Sequence, residues 1–155
     1  MLLTGDYHTH TVYSHGKGTV LENAMQAKAL GLKEIAITDH GFEQLAFGIK
    51  HKKMPSLIRD VKEATEKTGV QVYVGIEANL CGENGRTDLK SEDYKDFDVF
   101  LMGIHRFVKF NNFKSWYNLF WSNYIHTALP VKPPKKLVDY NTRARSEERR
   151  VGKEC

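Results

Sequence analysis

The chain contains the stretch IAITDH at residues 35–40, in which a short apolar run leads directly into a histidine. Two later stretches repeat this arrangement: VYVGI at residues 72–76 precedes Glu77, and VFLMGI at residues 99–104 precedes His105. Apolar runs of this length that include β-branched residues are typical of strands buried on both faces. Because parallel strands bring their C-terminal ends to one rim of a barrel or sheet, we expect the side chains after these runs to converge.

The start of the chain adds three histidines to this set. A first strand is predicted over residues 2–7, and it leads into the motif DYHTH at residues 6–10. His8 and His10 are two residues apart, so both point to the same face of an extended segment. His15 follows in the glycine-rich loop SHGKG at residues 14–18. Imidazole and carboxylate groups are ligands for zinc, manganese or iron, so the combined pattern predicts a metal site.

Each residue of the set also has a simpler explanation when it is taken alone. The two histidines could be polar residues that end a strand, and Glu77 could pair with a lysine, since an unpaired carboxylate is costly to bury. Asp39 directly precedes His40 and could orient an imidazole by accepting a hydrogen bond from it. The metal site is favoured because all the candidates occur together.

The segments between the predicted strands have helical patterns. Thr19 and Glu22 form a capping box at the start of the first helix, and Gly31 ends it. Pro55 opens a second helix, and Gly69 ends it. The order βαβα favours a parallel sheet in an α/β fold. Four strands are too few to close an eightfold barrel, for which about 250 residues are typical, so the fold is expected to be incomplete.

The composition excludes several classes of protein. The chain has 155 residues, of which 41% are hydrophobic and 27% are charged, as in ordinary soluble domains. No apolar run approaches the roughly 20 residues that span a bilayer, and the N-terminus lacks signal-peptide features. We therefore expect a cytoplasmic protein without a membrane partner. No basic stripe interleaved with aromatic residues favours a nucleic-acid partner, and the two cysteines, Cys81 and Cys155, match no disulfide or metal spacing.

The last eleven residues have a different character. The sequence RSEERRVGKEC at residues 145–155 resembles the translation of a short-read sequencing adapter. A solvated charged tail is the alternative. We expect residues 1–144 to be a natural partial domain and residues 145–155 to be an artefactual tail without defined structure.

The motifs together resemble a known family. DYHTHTVYSH at residues 6–15, AITDHG at 36–41, GIEAN at 75–79 and GIH at 103–105 are similar to the opening motifs of the PHP (polymerase and histidinol phosphatase) family, and closest to its stand-alone phosphatase-like branch. The resemblance covers residues 1 to about 110. It implies the N-terminal part of a distorted (β/α)7 TIM-like barrel, with a trinuclear metal centre at the C-terminal rim.

The resemblance also implies the ligands and the ions. Glu77 would bridge two ions, and the full implied ligand set is His8, His10, His15, His40, Glu77 and His105. Zinc is favoured, with manganese or iron as alternatives, and the intact protein would hold up to three ions. A later histidine on the fifth strand and an Asp-x-His pair near the last strand, which the family also supplies, have no match in this chain.

The activity implied for the intact protein is metal-dependent phosphoesterase hydrolysis of a small phosphorylated substrate, a phosphomonoester, by a hydroxide that the metal ions generate. Histidinol phosphatase is the nearest alternative, and a non-catalytic metal-binding module or a PHP-type 3'-5' exonuclease are the others. The fragment itself is expected to be inactive. Candidate catalytic residues are Asp39 and Arg106, the latter because it follows a ligand and could bind phosphate.

Two further segments have competing interpretations. The loop KHKK at residues 50–53 is expected to carry solvated charges rather than to bind phosphate. The aromatic pattern at residues 113–124 is expected to be a core-packing helix face rather than a lid over the site, although missing strands would leave it exposed. His126 follows two residues after this pattern, in the same helical segment, and is not expected to be a ligand.

Overall fold

Four parallel strands form a curled half-barrel sheet in the order β1-β2-β3-β4. The structure is a computed structural model that describes residues 3–82, 84–105, 107–129 and 131–151, with the backbone alone for 144–151. The strands are β1 (Gly5–Thr9), β2 (Glu34–Ile37), β3 (Gln71–Asn79) and β4 (Val99–Gly103). Consecutive strands are neighbours and run in the same direction, so their C-terminal ends share one rim. The predicted α/β fold, a partial TIM-like barrel, is confirmed.

Two helices connect the first three strands and cover one face of the sheet. Helix α1 (Val20–Ala29) begins at the predicted capping box, and α2 (Met54–Thr68) has its proline in the first turn. Gly31 and Gly69 follow these helices with φ of 77° and 74°, a left-handed conformation that glycine adopts without strain. The main core lies between the helices and the sheet and contains Val20, Ala24, Ile35, Ile37, Leu57, Val61, Ala64, Val72, Val74 and Ile76.

The first strand differs from the prediction in its position. It spans Gly5–Thr9, because its pairing with β2 begins at Gly5 opposite Glu34 and extends to Thr9 opposite Ile37. Of the predicted strand at residues 2–7, Leu3 and Thr4 are not part of β1, and Leu2 lies outside the described residues. The register shifts between Asp6 and Thr9. His8 therefore lies within the strand, and His10 follows its last residue directly.

The segment after β4 is helical and largely exposed. It comprises α3 (Phe113–Ser115), a π-helix (Trp116–Ser122) and α4 (Asn123–Ala128). The rings of the aromatic stripe are exposed here and do not pack into a core: Phe113, Trp116, Tyr117, Trp121 and Tyr124. Leu119 is the buried apolar residue of this segment, and it forms a small second core with Leu80. The rings instead stack along the surface, at 6.1 Å between Trp116 and Trp121.

Helix α5 (Lys135–Val151) extends into the charged tail. Residues 145–151 are therefore helical, unlike the expected lack of structure, because glutamate and arginine are good helix formers. Leu137 is buried near the start of α5, and Tyr140 packs against the small second core. Within the described residues, no helix is long and apolar enough to cross a membrane.

Candidate metal centre

The Glu77 carboxylate lies at the centre of the histidines at the strand ends. Its Oε2 atom is 3.5 Å from Nε2 of His8 and 3.5 Å from Nε2 of His10. These two imidazole nitrogens are 3.2 Å apart, as the alternation of His8 and His10 along one strand face requires. The three side chains therefore form one triangle of ligand-type atoms at the end of β1 and β3.

Two more histidines contact Glu77, one from each of the strands next to β3. His40 follows β2, pairs with Glu77 in an isolated parallel bridge, and places its Nδ1 3.0 Å from Oε2. His105 follows β4, and its Nε2 is 3.1 Å from Oε1 of Glu77. The carboxylate thus faces His105 with one oxygen and the other three histidines with the second.

His15 enters the cluster from the loop rather than from a strand. Its ring centroid lies 4.6 Å from that of His10 and 4.8 Å from that of His40. The structure therefore brings together all six side chains that the sequence singles out. They form three overlapping groups, in each of which the ligand atoms lie within 4.8 Å of one another: His10, His15, His40; His8, His10, Glu77; His40, Glu77, His105.

Asp39 lies beneath the turn that carries two of these histidines. It is 1% exposed, and its carboxylate accepts hydrogen bonds from Thr11 N at 2.7 Å, Thr11 Oγ1 at 2.6 Å and Ser14 Oγ at 2.6 Å. Nδ1 of His10 is 4.0 Å from the same carboxylate. Burial raises the pKa of Asp39, against the hydrogen bonds from Ser14 and Thr11. Asp39 therefore makes its hydrogen bonds to the turn. The imidazole nitrogen of His10 lies 4.0 Å from it, which is too far for a hydrogen bond.

Sequence reasoning missed two polar residues behind the cluster, Asn79 and Asp88. Asn79 is fully buried on the same face of β3 as Glu77, and its Oδ1 lies 2.8 Å from Nδ1 of His105. Asp88 is 9% exposed and bonds to both the backbone and the side chain of Asn79. The two-residue spacing from Glu77 could have identified Asn79. Asp88 lies in a loop and carries no comparable signal.

The ionisable groups of the cluster shift one another's pKa values. Burial by itself would raise the pKa of Glu77, but the contacts with His105 and His40 outweigh it and hold that pKa well below its usual range. Burial and then the neighbouring charge of His40 lower the pKa of His10 to about 4. At neutral pH the site therefore offers an ionised carboxylate and a neutral His10 imidazole, which are the forms that coordinate metals.

The donor set fits divalent metal ions. Two ligands about 2.1 Å from one tetrahedral ion lie about 3.4 Å apart, and the separations among His8, His10 and Glu77 are 3.2–3.5 Å. Nδ1 of His10 and Nδ1 of His40 are buried and have no hydrogen-bond partner among the described residues. Buried nitrogens normally have partners, and a cation bound between Nδ1 of His40 and Oε2 of Glu77, which are 3.0 Å apart, would satisfy the His40 nitrogen.

The other candidate residues from the sequence are not part of the described histidine cluster. Arg106 is outside the described residues. Phe107, which follows it, has φ of 59°, and its carbonyl accepts a hydrogen bond from Leu45 N at 2.8 Å. In the loop at residues 50–53 the side chains are exposed, and His51 stacks on Phe42 with ring centroids 3.7 Å apart. Within the part of the chain that the structure describes, no metal-type group includes His51 or His126.

The chain is similar to a known family and to several named proteins. The family model for the PHP domain matches residues 6–140. A probable phosphatase of Caldanaerobacter subterraneus subsp. tengcongensis is 39% identical over 101 residues, which cover 64% of this chain and 38% of the relative. A probable phosphatase of Thermoanaerobacter sp. (strain X514) is 35% identical over 112 residues, covering 68% and 42%. One of Proteus mirabilis is 36% identical over 103 residues, covering 64% and 40%.

The chain spans about two fifths of the length of these curated relatives. The family match, in contrast, covers most of the chain and includes every residue of the histidine cluster. The strand-end positions of those residues, and the sheet that aligns them, agree with the same conclusion. This chain belongs to the PHP domain family.

Proposed function

We propose that the chain carries part of the metal centre of a phosphoesterase that hydrolyses a small phosphomonoester. The observation that supports this most directly is the overlap of the three ligand groups, in which His10, His40 and Glu77 each belong to two. Shared ligands are expected where ions lie close together, as in phosphatases with two or more metals. The names of the relatives as probable phosphatases support the same reaction class.

We infer that the ligands are His8, His10, His15, His40, Glu77 and His105, with Glu77 as the bridge. Its two oxygens face different histidines, which is the arrangement a bridging carboxylate needs. The predominance of imidazole favours zinc over magnesium or calcium, and manganese or iron are the alternatives. Up to three ions would be held in the intact protein.

In hydrolysis, the bound ions would supply an activated water near neutral pH and offset the charge on the phosphoryl group. Glu77 and the imidazoles hold the ions, and Asp39 fixes the turn that presents His10 and His15 through its bonds to Thr11 and Ser14. Asp39 therefore acts as a positioning residue in this proposal. Arg106 remains a sequence-based candidate for binding the phosphoryl oxygens.

The activity belongs to the protein in its full length. We expect the chain of 155 residues to bind zinc weakly and to hydrolyse p-nitrophenyl phosphate poorly. A form extended at the C-terminus to the length of the relatives should hydrolyse it when zinc or manganese is added. Histidinol phosphate and a single-stranded DNA oligonucleotide, assayed in parallel, separate the two enzyme alternatives.

The test uses ligand variants of the extended form. His40→Ala and Glu77→Ala should each abolish turnover and lower the metal content measured by atomic emission, whereas His51→Ala, a surface histidine outside the cluster, should do neither. An extended protein that holds its metals but hydrolyses none of the substrates would instead favour the non-catalytic module. Metal content unchanged in both ligand variants would refute the assignment of the site.

A further inference from the structure

A buried carboxylate outside the ligand cluster, that of Asp88, connects two ligand-bearing segments. Asp88 Oδ1 accepts a hydrogen bond from Asn79 N at 2.8 Å, and Oδ2 accepts bonds from Asn79 Nδ2 at 2.5 Å and Glu43 N at 3.0 Å. Asn79 is two residues from Glu77 on β3, and Glu43 lies three residues after His40. The loop of Asp88 thus contacts the segments that present both ligands.

The bonds at Asp88 determine which way the Asn79 side chain faces. The Asp88 carboxylate accepts the backbone N–H groups of Asn79 and Glu43, and an ionised carboxylate only accepts hydrogen bonds, so the NH2 group of Asn79, and not its oxygen, points at Asp88. The Asn79 oxygen then necessarily points at Nδ1 of His105, 2.8 Å away. An amide oxygen only accepts hydrogen bonds, so Nδ1 of His105 must carry a proton.

The proton on Nδ1 has a consequence at the other ring nitrogen. A neutral imidazole that is protonated at Nδ1 has its lone pair on Nε2, and Nε2 of His105 is directed at Glu77 Oε1, 3.1 Å away. Either a second proton or a cation between Nε2 and Oε1 would satisfy this contact, and a metal ion takes the place of that proton when it binds. The orientation of Asn79 therefore prepares His105 to bind a metal through Nε2.

From this geometry we propose that Asp88 and Asn79 are positioning residues that act in series on His105: Asp88 fixes the amide of Asn79, and Asn79 holds the Nδ1 proton and the ring plane of His105. The bond from Glu43 N extends the same support to the segment after His40. The part of this inference that concerns metal binding rests on the proposed function, whereas the hydrogen-bond chain does not.

The first test reads the hydrogen bond directly. In 15N-labelled chain, the Nδ1 proton of His105 should give an exchange-protected NMR signal in the metal-free and the zinc-loaded protein. Asn79→Leu, which keeps the side-chain size and removes the acceptor, should abolish that protection. A wild-type His105 without a protected Nδ1 proton would overturn the proposal, whether or not the variant folds.

The second test exchanges the two polar groups. The double variant Asn79→Asp/Asp88→Asn places a carboxylate next to His105 and an amide NH2 group next to that carboxylate. Of the hydrogen bonds at these two side chains, it removes only the one from Glu43 N. The Nδ1 signal should return in this variant. Loss of the signal in both Asn79→Leu and the double variant would show that the residues only support packing.

Zinc affinity gives an independent readout by calorimetry. Partners of ligating histidines are typically worth about 10–100-fold in metal affinity, so Asn79→Leu should weaken zinc binding by about that factor, and the double variant should recover most of it. Asp93→Asn is the matched control, because Asp93 is also a buried loop carboxylate that accepts a backbone N–H, from Lys90, without contacting the cluster. These affinities are measured in the form extended at the C-terminus. An Asn79→Leu protein that binds zinc as tightly as the wild type contradicts the positioning role. An extended wild-type protein that binds no zinc contradicts the proposed function, and the NMR tests then decide the hydrogen-bond chain on their own.

Discussion

Asp39 supports the turn between β1 and α1 through hydrogen bonds rather than through contact with the reacting groups. It accepts three hydrogen bonds from Thr11 and Ser14 in a buried position. Asp39→Ala should leave those donors without a partner and lower the free energy of unfolding by about 2–4 kcal/mol. Urea denaturation in the presence of a chelator measures this without a contribution from metal.

The control for Asp39 is Asp6→Ala. Asp6 is exposed and accepts one backbone bond, from His8 N at 3.0 Å, so its removal should change the unfolding free energy by no more than about 0.5 kcal/mol. If both variants lose the same amount of unfolding free energy, the buried hydrogen bonds of Asp39 stabilise the chain no more than the exposed bond of Asp6 does.

His10 makes the stability of the metal-free chain depend on pH. Its pKa is about 4 in the folded chain, chiefly through burial and then through the charge of His40, against about 6.5 when unfolded. The unfolded state therefore binds more protons between pH 6.5 and 4, so stability falls as the pH is lowered through that window. The contribution is about 1–2 kcal/mol after allowance for solvent screening.

Thermal melting of the chelator-treated chain at several pH values between 7 and 4.5 measures this slope. His10→Asn, which is neutral at every pH in the range, should flatten it. If the variant melts with the same pH dependence as the wild type, another group is responsible for the acid sensitivity.

Five of the six ligand-type residues were predictable from the sequence because they follow an apolar run or alternate along a strand, whereas His15 lies in a loop. His40, Glu77 and His105 lie where β2, β3 and β4 end, and this local pattern is visible without a structure. Asp88 could not be found in this way. Its bond to Glu43 N joins residues 45 positions apart, and only the folded chain brings them together.

Two residues, Thr19 and Glu22, determine where helix α1 begins. Thr19 Oγ1 accepts a bond from Glu22 N at 3.2 Å, and the Glu22 carboxylate accepts one from Thr19 N at 2.7 Å. Thr19→Ala should lower the unfolding free energy by about 1 kcal/mol, because one of the free N–H groups of the first turn loses its acceptor. Chemical denaturation measures the loss.

Thr127→Ala serves as the control for the cap. Thr127 is exposed near the end of α4, and its hydroxyl donates to Asn123 O at 2.8 Å, so its removal should have little effect. A Thr19→Ala chain as stable as the wild type would show that the capping box does not limit the stability of α1.

The two parts of α5 should contribute unequally to stability. Leu137 is 4% exposed, and Leu137→Ala should cost about 2 kcal/mol or more through the lost burial and the cavity. Deletion of residues 145–155 should change the melting temperature and the zinc affinity little, if the tail derives from a sequencing adapter as we propose, because such a sequence was never selected to cover this surface. A clear loss of stability on deletion would contradict the proposed origin of the tail.

The elements after β4 show where sequence patterns fail. The aromatic spacing at residues 113–124 correctly indicates a helix, but not that the rings lie on the surface or that the middle of the segment is a π-helix. Burial of a helix face depends on which elements pack against it. Here Leu119 contacts the small second core, and the larger rings stack on one another.

For the whole molecule, the sheet has two open sides within the described residues, since β1 and β4 each pair with one strand. Open strand edges pair readily with other chains, and Phe100 on β4 is 43% exposed. We expect the chain to self-associate as its concentration rises, and Phe100→Lys to reduce this in sedimentation velocity. Phe113→Lys, on the aromatic helix, should leave the self-association unchanged. If Phe113→Lys reduces it and Phe100→Lys does not, the chains associate through that helix instead.

The close approach of Gly41 to Asp88 has a consequence for how this protein varies among its relatives. A Cβ atom at position 41 would lie 2.3 Å from Oδ2 of Asp88, so no side chain fits there while the carboxylate keeps its place. Substitutions at the two positions should therefore be correlated across an alignment. Lineages that keep the aspartate should keep the glycine, and a side chain at position 41 should appear only with a smaller residue at position 88.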